Sequence, residues 1–215
     1  MTCLFCDNIQ NVIYQTENFY VKIGKGIITA GHLMIIPKKH CKTIADISNL
    51  MINEYLDLKK LVTEKVTEEF CKPFFIEYGV FGQSVFHGHI HIIPSSGNNY
   101  ENVNIIEELA LPAIKKYNLN YNIINNFNEL KQIFNKDKEY VYFEFDNIKY
   151  VLRIKKFVNE KVLSENILKE DDVSYRHFFQ NKKHLIGIGN WKTMTDEDIK
   201  IDNEKIEETR KKIIL

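Results

Sequence analysis

One stretch with three alternating histidines constrains the fold of this chain more than any other feature. Residues 83–94 read Gln-Ser-Val-Phe-His-Gly-His-Ile-His-Ile-Ile-Pro. The three histidines are His87, His89 and His91. Because successive side chains of an extended strand point to opposite faces, this spacing places all three imidazoles on one face. Ile90 and Ile92 then point to the other face, so the stretch predicts a strand with an imidazole-lined front and an apolar back.

Three interpretations of this pattern stay open when only the residues are considered. The chain holds seven histidines, and three of them at a period of two could be ordinary sheet histidines. They could instead bind a catalytic metal together, as three-histidine sites bind zinc. In the third interpretation one neutral imidazole is a nucleophile, and its neighbours orient it or stabilise an oxyanion.

The length and the charge balance limit the architecture and the class of partner. A chain of 215 residues is long enough for one domain with a large extension or for two small domains. Residues 95–104 are polar and rich in turn-forming residues, so we expect a first domain over residues 1–100 and an α+β extension over residues 101–215. The 29 basic side chains equal the 29 acidic ones, so net charge does not indicate bulk nucleic-acid or membrane binding.

The sequence favours a cytoplasmic protein, and its cysteines are interpreted for a reducing compartment. The first residues do not resemble a signal peptide, and the sequence has no apolar run of transmembrane length. In a reducing compartment, disulfides are not expected. Cys3 and Cys6 form a Cys-x-x-Cys, which is a zinc half-site, a redox pair or a coincidence. Cys41 and Cys71 are interpreted as small half-buried residues.

Other periodicities predict strands around one long helix. Apolar residues at helical spacing favour a helix that begins near Asp46, as its N-cap, and runs to about Phe70. Before and after it we expect strands within residues 11–23, 27–37 and 74–80. In the second half we expect helices over 105–117, 127–134, 174–179 and 196–212, a strand over 121–124, and a hairpin over 139–154.

Three separate motifs together resemble the histidine triad superfamily of nucleotide hydrolases and transferases. They are Cys3-x-x-Cys6, the segment from Gly31-His32 to Pro37-x-x-His40, and the segment from Gly82-Gln83-Ser84 to His87-x-His89-x-His91-Ile-Ile. Their order and spacing agree with the superfamily over residues 1 to about 100. The resemblance implies an α+β fold, with a long helix packed on a mainly antiparallel sheet, and a homodimer.

The resemblance also implies a reaction at the α-phosphate of a nucleotide. His89 would attack phosphorus, a nucleotidyl-imidazole would form, and water would release the mononucleotide. Neutral imidazole is a competent nucleophile near pH 7. His91 would hold phosphate oxygens, and His32 would support the site from behind. Backbone N–H groups and a hydroxyl would come from the loop Gly82, Gln83 and Ser84.

In zinc-bearing members of the superfamily, the first triad histidine is a metal ligand. The resemblance therefore implies a structural zinc ion held by Cys3, Cys6, His40 and His87. Thiolate and imidazole ligands suit zinc, and four protein ligands close the coordination sphere.

The sequence departs from the superfamily at the ribose site and resembles one branch of it in the second half. Many members carry an acidic residue for the ribose hydroxyls where this chain has Gly24 and Gly26. The second half, at residues 139–145 and 190–192, resembles a two-domain branch associated with RNA lariat debranching. Basic and aromatic side chains of this half could grip RNA or a phosphate-rich leaving group. They are Arg153, Lys155, Lys156, Arg176, His177, Lys182, Lys183, His184 and Trp191.

We therefore expect a nucleotide hydrolase that releases a nucleoside monophosphate from a phosphoramidate, a dinucleoside polyphosphate or an adenylated adduct. A nucleotidyl transferase or phosphorylase is the first alternative, and His91 stands where some relatives of that type have glutamine. A non-catalytic nucleotide-binding or RNA-binding module is the second. A hydrolase with a catalytic metal on the three triad histidines is the third, and chelation would stop it at once.

Overall fold

The computed structural model describes residues 3–80, 82–153, 174–185, 188 and 192–215. Within them, eight strands form one antiparallel sheet with the order β1-β2-β3-β5-β4-β7-β8-β6. The strands are β1 (Val12–Gln15), β2 (Phe19–Ile23), β3 (Leu33–Pro37), β4 (Pro73–Gly79), β5 (Ile90–Pro94), β6 (Asn120–Ile124), β7 (Tyr140–Phe145) and β8 (Ile148–Arg153).

The helices range from single turns to two long elements. The α-helices are α1 (Leu4–Asp7), α2 (Ile52–Glu69), α3 (Leu111–Tyr117), α4 (Phe127–Asp137), α5 (Tyr175–His177) and α6 (Asp196–Lys212). Two 3₁₀ turns (Ile44–Asp46 and Asn49–Met51) precede α2, and π-helical turns lie at Ile106–Ala110 and Phe178–Lys182. The predicted α+β class with an antiparallel sheet is confirmed.

Helix α2 covers one face of the sheet. Its buried side chains recur every three or four residues, as an amphipathic helix requires. They are Tyr55, Leu58, Val62 and Val66. They share one apolar core with Val21 of β2, Ile35 of β3, and Ile90 and Ile92 of β5. The expectation that Ile90 and Ile92 point into a core, away from the triad face, therefore agrees with the packing.

The second half of the chain continues the same sheet. β7 pairs with β4, which places Phe143 opposite Ile76. On the face opposite α2, a second core joins residues of both halves, including Phe74, Val141 and Phe179. The division into residues 1–100 and 101–215 stays a prediction, as does a homodimer.

The triad strand is shorter than the alternation indicated. β5 begins at Ile90, so His87 and Gly88 lie in an irregular segment before it. In that segment, hydrogen bonds to two backbone carbonyl groups replace the backbone pairing of a β-strand. Gly88 N–H donates to Cys41 O at 2.8 Å, and the His87 side chain donates to Pro37 O at 2.8 Å. A Cβ at Gly88 would lie 2.6 Å from the Thr43 backbone, so only glycine permits this close approach.

Two other boundaries also differ from expectation. α2 begins at Ile52 instead of Asp46, because the chain first makes 3₁₀ turns, and Ser48 accepts the capping bond from Leu50 N–H. The strand expected over residues 27–37 is reduced to β3. Residues before it form a turn in which His32 N–H donates to Thr29 O.

The hairpin of the second half forms where it was expected. Asp146 and Asn147 have φ of 53° and 66°, the left-handed values that a two-residue turn needs. Lys155, Lys156, Asn190 and Trp191, which were named above, lie outside the described residues. Among the helices of the described residues, none is both long and apolar enough to cross a membrane.

Candidate active site and metal centre

A cavity of about 610 Å³ opens on the face of the sheet opposite α2. Its walls come from α1 and the residues after it, from β2 and β3, from the loop at residues 82–85, and from residues 174–176. His89 and His91 both line it, although they are only 7% and 6% exposed. The cavity is large enough for a nucleotide-sized ligand.

A backbone carbonyl fixes the tautomer of His89. The Nδ1 atom lies 2.7 Å from His87 O, so it carries the proton and donates it to this carbonyl. Nε2 then holds the lone pair, and because the ring lines the cavity this atom is available to a ligand. Burial lowers the pKa of His89 to about 4, with further contributions from neighbouring positive charges. The ring is therefore neutral near pH 7, as a nucleophile must be.

A chain of hydrogen bonds gives His91 the opposite tautomer. Ile28 N–H donates to His32 Nδ1 at 3.1 Å, so this nitrogen is an acceptor. The neutral ring of His32 then carries its proton on Nε2, which lies 3.0 Å from His91 Nδ1. His91 Nδ1 accepts this bond, and its own proton lies on Nε2. Burial holds the pKa of both rings well below its usual range, so both are neutral.

The two triad histidines thus offer complementary atoms to one cavity. His89 presents a lone pair, and His91 presents an N–H donor. One ring can attack an electrophilic centre while the other binds an oxygen attached to that centre.

The loop at Gly82–Ser84 lies beside these rings and lines the same cavity. Gly82 has φ of 72°, a value that favours glycine. The Gln83 amide donates from Nε2 to Lys42 O at 2.8 Å, which ties the loop to the segment after β3. The Oε1 atom of Gln83 is buried and has no hydrogen-bond partner among the described residues. The exposed Ser84 completes the polar rim.

The four predicted metal ligands converge at the surface end of the triad segment. The donor atoms of Cys3, Cys6, His40 and His87 all lie within 4.8 Å of one another. Individual sulfur-to-Nδ1 distances are 3.3 Å for Cys3–His87, 3.5 Å for Cys6–His87 and 3.5 Å for Cys6–His40. Zinc bonds of about 2.3 Å to sulfur and about 2.0–2.1 Å to nitrogen, at tetrahedral angles, require a sulfur-to-nitrogen separation of about 3.5 Å. The cluster fits a zinc ion.

The hydrogen bond on the far side of the His87 ring supports the same donor set. His87 Nε2 donates to Pro37 O, which leaves Nδ1 unprotonated and aimed at the two sulfurs. Burial, together with the neighbouring Cys3 and Asp7, raises the pKa of the Cys6 thiol to about 11. A divalent cation would reverse that shift, because it stabilises both thiolates.

The second half of the chain contributes to the cavity through Arg176, one of the basic residues named from the sequence, and through Tyr175, which the sequence did not indicate. Tyr175 packs its ring 5.0 Å from the His91 ring centroid and 6.1 Å from that of His32. Arg176 donates to the carbonyl oxygens of Lys25 and Gly26.

An acidic side chain from elsewhere in the chain reaches the segment at Gly24–Gly26, where the sequence has no acidic residue of its own for the ribose. Asp202 of α6 accepts from the N–H groups of Gly26 and Ile27, at 2.8 Å each. Because Asp202 is buried and bonded to the backbone, it holds the loop and is not presented to the cavity.

The structure brings nearly all of the predicted site residues together. His89, His91 and the Gly82–Ser84 loop line the cavity, His32 lies directly behind His91, and the cysteine–histidine cluster lies beside His89. Two described members of the basic set of the second half are engaged in ion pairs. Arg153 pairs with Asp137, and Lys183 pairs with Glu108.

Lys22 was overlooked, although its sequence context carried a signal. It is a lone charge in the otherwise apolar strand Phe-Tyr-Val-Lys-Ile, and it is 7% exposed and lines the cavity.

Comparisons with known proteins cover the first half of the chain. A family model described as "HIT domain" matches residues 7–98. A HIT-like protein of Chlamydia trachomatis is 34% identical over 97 residues, which cover 41% of this chain and 79% of that protein. The "adenosine 5'-monophosphoramidase hnt1" of Schizosaccharomyces pombe is 26% identical over 105 residues, which cover 46% of this chain and 79% of that protein. A zinc-bound histidine triad family protein from Mycobacterium smegmatis, of known structure, matches at 24% identity with a TM-score of 0.40, covering 48% of this chain and 81% of that chain.

Proposed function

The chain belongs to the histidine triad (HIT) family, and we propose that it is a nucleotide hydrolase that acts at the α-phosphate through a covalent intermediate on His89. The substrate would be a phosphoramidate, a dinucleoside polyphosphate or an adenylated adduct, and a nucleoside monophosphate would be released. The observation that supports this most is the pair of opposite tautomers of His89 and His91 on one cavity.

In the first step, the Nε2 lone pair of His89 forms a bond to phosphorus. The bond from phosphorus to the leaving group breaks, and the leaving group takes the electron pair and a proton from solvent. The imidazole becomes positively charged, and its Nδ1–H bond to His87 O stabilises that charge. In the second step, a water oxygen attacks phosphorus, the bond to Nε2 breaks, and the water proton passes to solvent. Neutral His89 is restored.

His91 and the Gly82–Ser84 loop would stabilise the charge that develops on the phosphoryl oxygens. Nε2–H of His91 is held toward the cavity because the bond from His32 occupies its other nitrogen. Loop N–H groups and the Ser84 hydroxyl supply further donors on the adjoining wall. Such preorganised donors act without reorientation during the reaction.

The proposal includes a structural zinc ion held by Cys3, Cys6, His40 and His87. When bound, it would cross-link the N-terminal segment to the residues just before β5. The N-terminal segment carries Phe5, whose ring packs 5.4 Å from the His89 ring. The ion would therefore fix one wall of the cavity and would take no part in the chemical steps.

Hydrolysis of adenosine 5′-phosphoramidate tests the proposal, because a relative bears the name of that activity. The wild type should release AMP, and His89→Ala should lose at least about 10³-fold in kcat, since the nucleophile is absent. His184→Ala, which changes an exposed histidine of the second half that does not line the cavity, is the matched control. Release of AMP by His89→Ala at the wild-type rate would refute the assignment of the nucleophile.

A further inference from the structure

The cavity is lined by more positive charge than a single phosphoryl group requires. Its basic lining residues are Lys22, Lys25, Arg176 and Lys192. Among the described residues that line it, none is an aspartate or a glutamate. The carbonyl groups that hold Arg176 orient its guanidinium but do not neutralise it. Lys22, Lys25 and Arg176 together favour a ligand with more than one negative charge.

Lys22 is the buried member of this set, and no anionic group among the described residues compensates its charge. It is 7% exposed, and no ion pair or hydrogen bond of its ammonium group is found among the described residues. The contact recorded for it is the Phe5 ring, 5.7 Å from Nζ to the centroid. A buried charge without a counter-ion is unfavourable, so such a lysine indicates a ligand that supplies the missing anion.

Register places Lys22 within reach of the triad. It pairs with Met34 of β3, and Met34 pairs with His91 of β5, so the three residues form one row across the sheet. Strands about 4.8 Å apart put Lys22 and His91 about 10 Å apart at the backbone. The Phe5 ring links Lys22 to the triad, since its centroid lies 5.7 Å from Lys22 Nζ and 5.4 Å from the His89 ring. A ligand with two linked anionic groups spans such a distance.

We propose that Lys22 binds a second phosphate group of the substrate, beyond the phosphoryl group held by His89 and His91. This rests on the proposed nucleotide site and adds to it a preference, among the ligands of that site, for nucleotides that carry two or more phosphates. The second phosphate lies either on the leaving group or on the ribose. Lys22 is thus a specificity-determining residue for this cavity.

The pH dependence of this contact has a defined direction. Burial lowers the pKa of Lys22 to about 8. The groups that face it are His32, His89 and His91, which are neutral, and the cations of the cavity lining. Because phosphate monoesters lose their second proton near pH 6, their charge is constant above pH 7.5. The preference for a second phosphate should therefore fade as the pH rises through the Lys22 pKa.

Calorimetric binding of three ligands tests the inference without requiring turnover. They are AMP, adenosine 3′,5′-bisphosphate and α,β-methylene-ADP, measured with wild type, Lys22→Met, Lys22→Arg and the exposed control Lys60→Met. A charge-assisted contact predicts that a two-phosphate ligand binds about 10-fold or more tightly than AMP to the wild type. Lys22→Met should abolish that ratio, and Lys60→Met should keep it. The bisphosphate and the methylene analogue separate a ribose phosphate from a leaving-group phosphate.

Three results would overturn the inference. These are an absent preference in the wild type, a preference that survives in Lys22→Met, and an equal loss of AMP and two-phosphate binding. If Lys22→Met fails to fold, the same ligands are measured with the wild type and Lys22→Arg as a function of pH, and that dependence tests the role of Lys22. The wild-type preference should be lost between pH 7.5 and 9.5, whereas Lys22→Arg should keep it, and identical profiles would refute the role. Because these are equilibria, a lack of AMP release by the wild type would contradict the hydrolase proposal and leave this inference standing.

Discussion

Replacing His32 by leucine tests whether the bond chain behind His91 matters for catalysis. The change removes the acceptor for Ile28 N–H and the donor to His91 Nδ1, two contacts of 3.1 and 3.0 Å inside the fold. His32 itself is 1% exposed, so water does not replace the lost partners. An orphaned buried N–H costs about 1–3 kcal/mol, and a lost hydrogen bond about 0.5–1.5 kcal/mol. We expect the free energy of unfolding to fall by about 2–4 kcal/mol.

The catalytic effect comes from the tautomer of His91. Without the donor behind it, the ring can carry its proton on Nδ1 and present a lone pair to the phosphoryl oxygen. Loss of one oxyanion donor costs about 10²–10³ in kcat, and partial loss of orientation should cost about 10–100-fold.

The assay combines urea denaturation with kcat for AMP release, at a temperature where each variant is folded. His32→Gln is the matched control, since its amide can accept one bond and donate the other, and it should recover part of kcat. If His32→Leu loses stability but keeps kcat within about 3-fold, the bond chain is structural and the reasoning about tautomers is wrong.

Three further variants test other parts of the account. Cys6→Ser should lower the zinc content and the unfolding temperature while the folded fraction still releases AMP, and unchanged metal analysis would contradict the proposed site. Asp202→Asn should weaken the bonds to Gly26 and Ile27 N–H, lower the free energy of unfolding by about 1–2 kcal/mol and weaken AMP binding. If Asp202→Asn has the stability and the AMP affinity of the wild type, the bonds from Asp202 to the Gly26 and Ile27 N–H groups are not needed to hold the loop. Burial raises the pKa of Glu77 from 4.5 to about 7, so the folded chain binds a proton that the unfolded chain has lost. Stability should fall as the pH rises through that window, and Glu77→Gln should flatten the dependence in urea midpoints. If stability depends on pH in the same way in the wild type and in Glu77→Gln, the assigned role of Glu77 is wrong.

The triad face and the metal cluster could be predicted because their signals are local or spaced along one motif. Alternation alone puts the triad histidines on one face and Ile90 and Ile92 on the other, which packs in the core with α2. The family resemblance gave the four candidate metal ligands, which the fold brings to within 4.8 Å. The start of β5 could not be predicted from the alternation. Before Ile90, hydrogen bonds to Cys41 O and Pro37 O replace the strand-to-strand pairing.

The way the second half packs on the cavity could not be predicted, because its contacts join residues far apart in the sequence. Asp202 and Gly26 are separated by 176 positions, and no periodicity relates them. Tyr175 reaches His91 only because the chain returns over the face of the sheet opposite α2. Lys22 is a different case. A lone charge in an apolar strand is a readable signal, and it marks a position where tertiary context or a ligand must compensate.

Peptide mass spectrometry of the quenched enzyme tests whether His89 carries the nucleotide during turnover. Wild type and His89→Asn would be mixed with adenosine 5′-phosphoramidate, quenched in alkali within one turnover, and digested. We expect an added adenylyl group on the wild-type peptide that contains His89, and none on the variant. Turnover without this adduct, or an adduct on another residue of the wild type, would show that His89 is not the nucleophile.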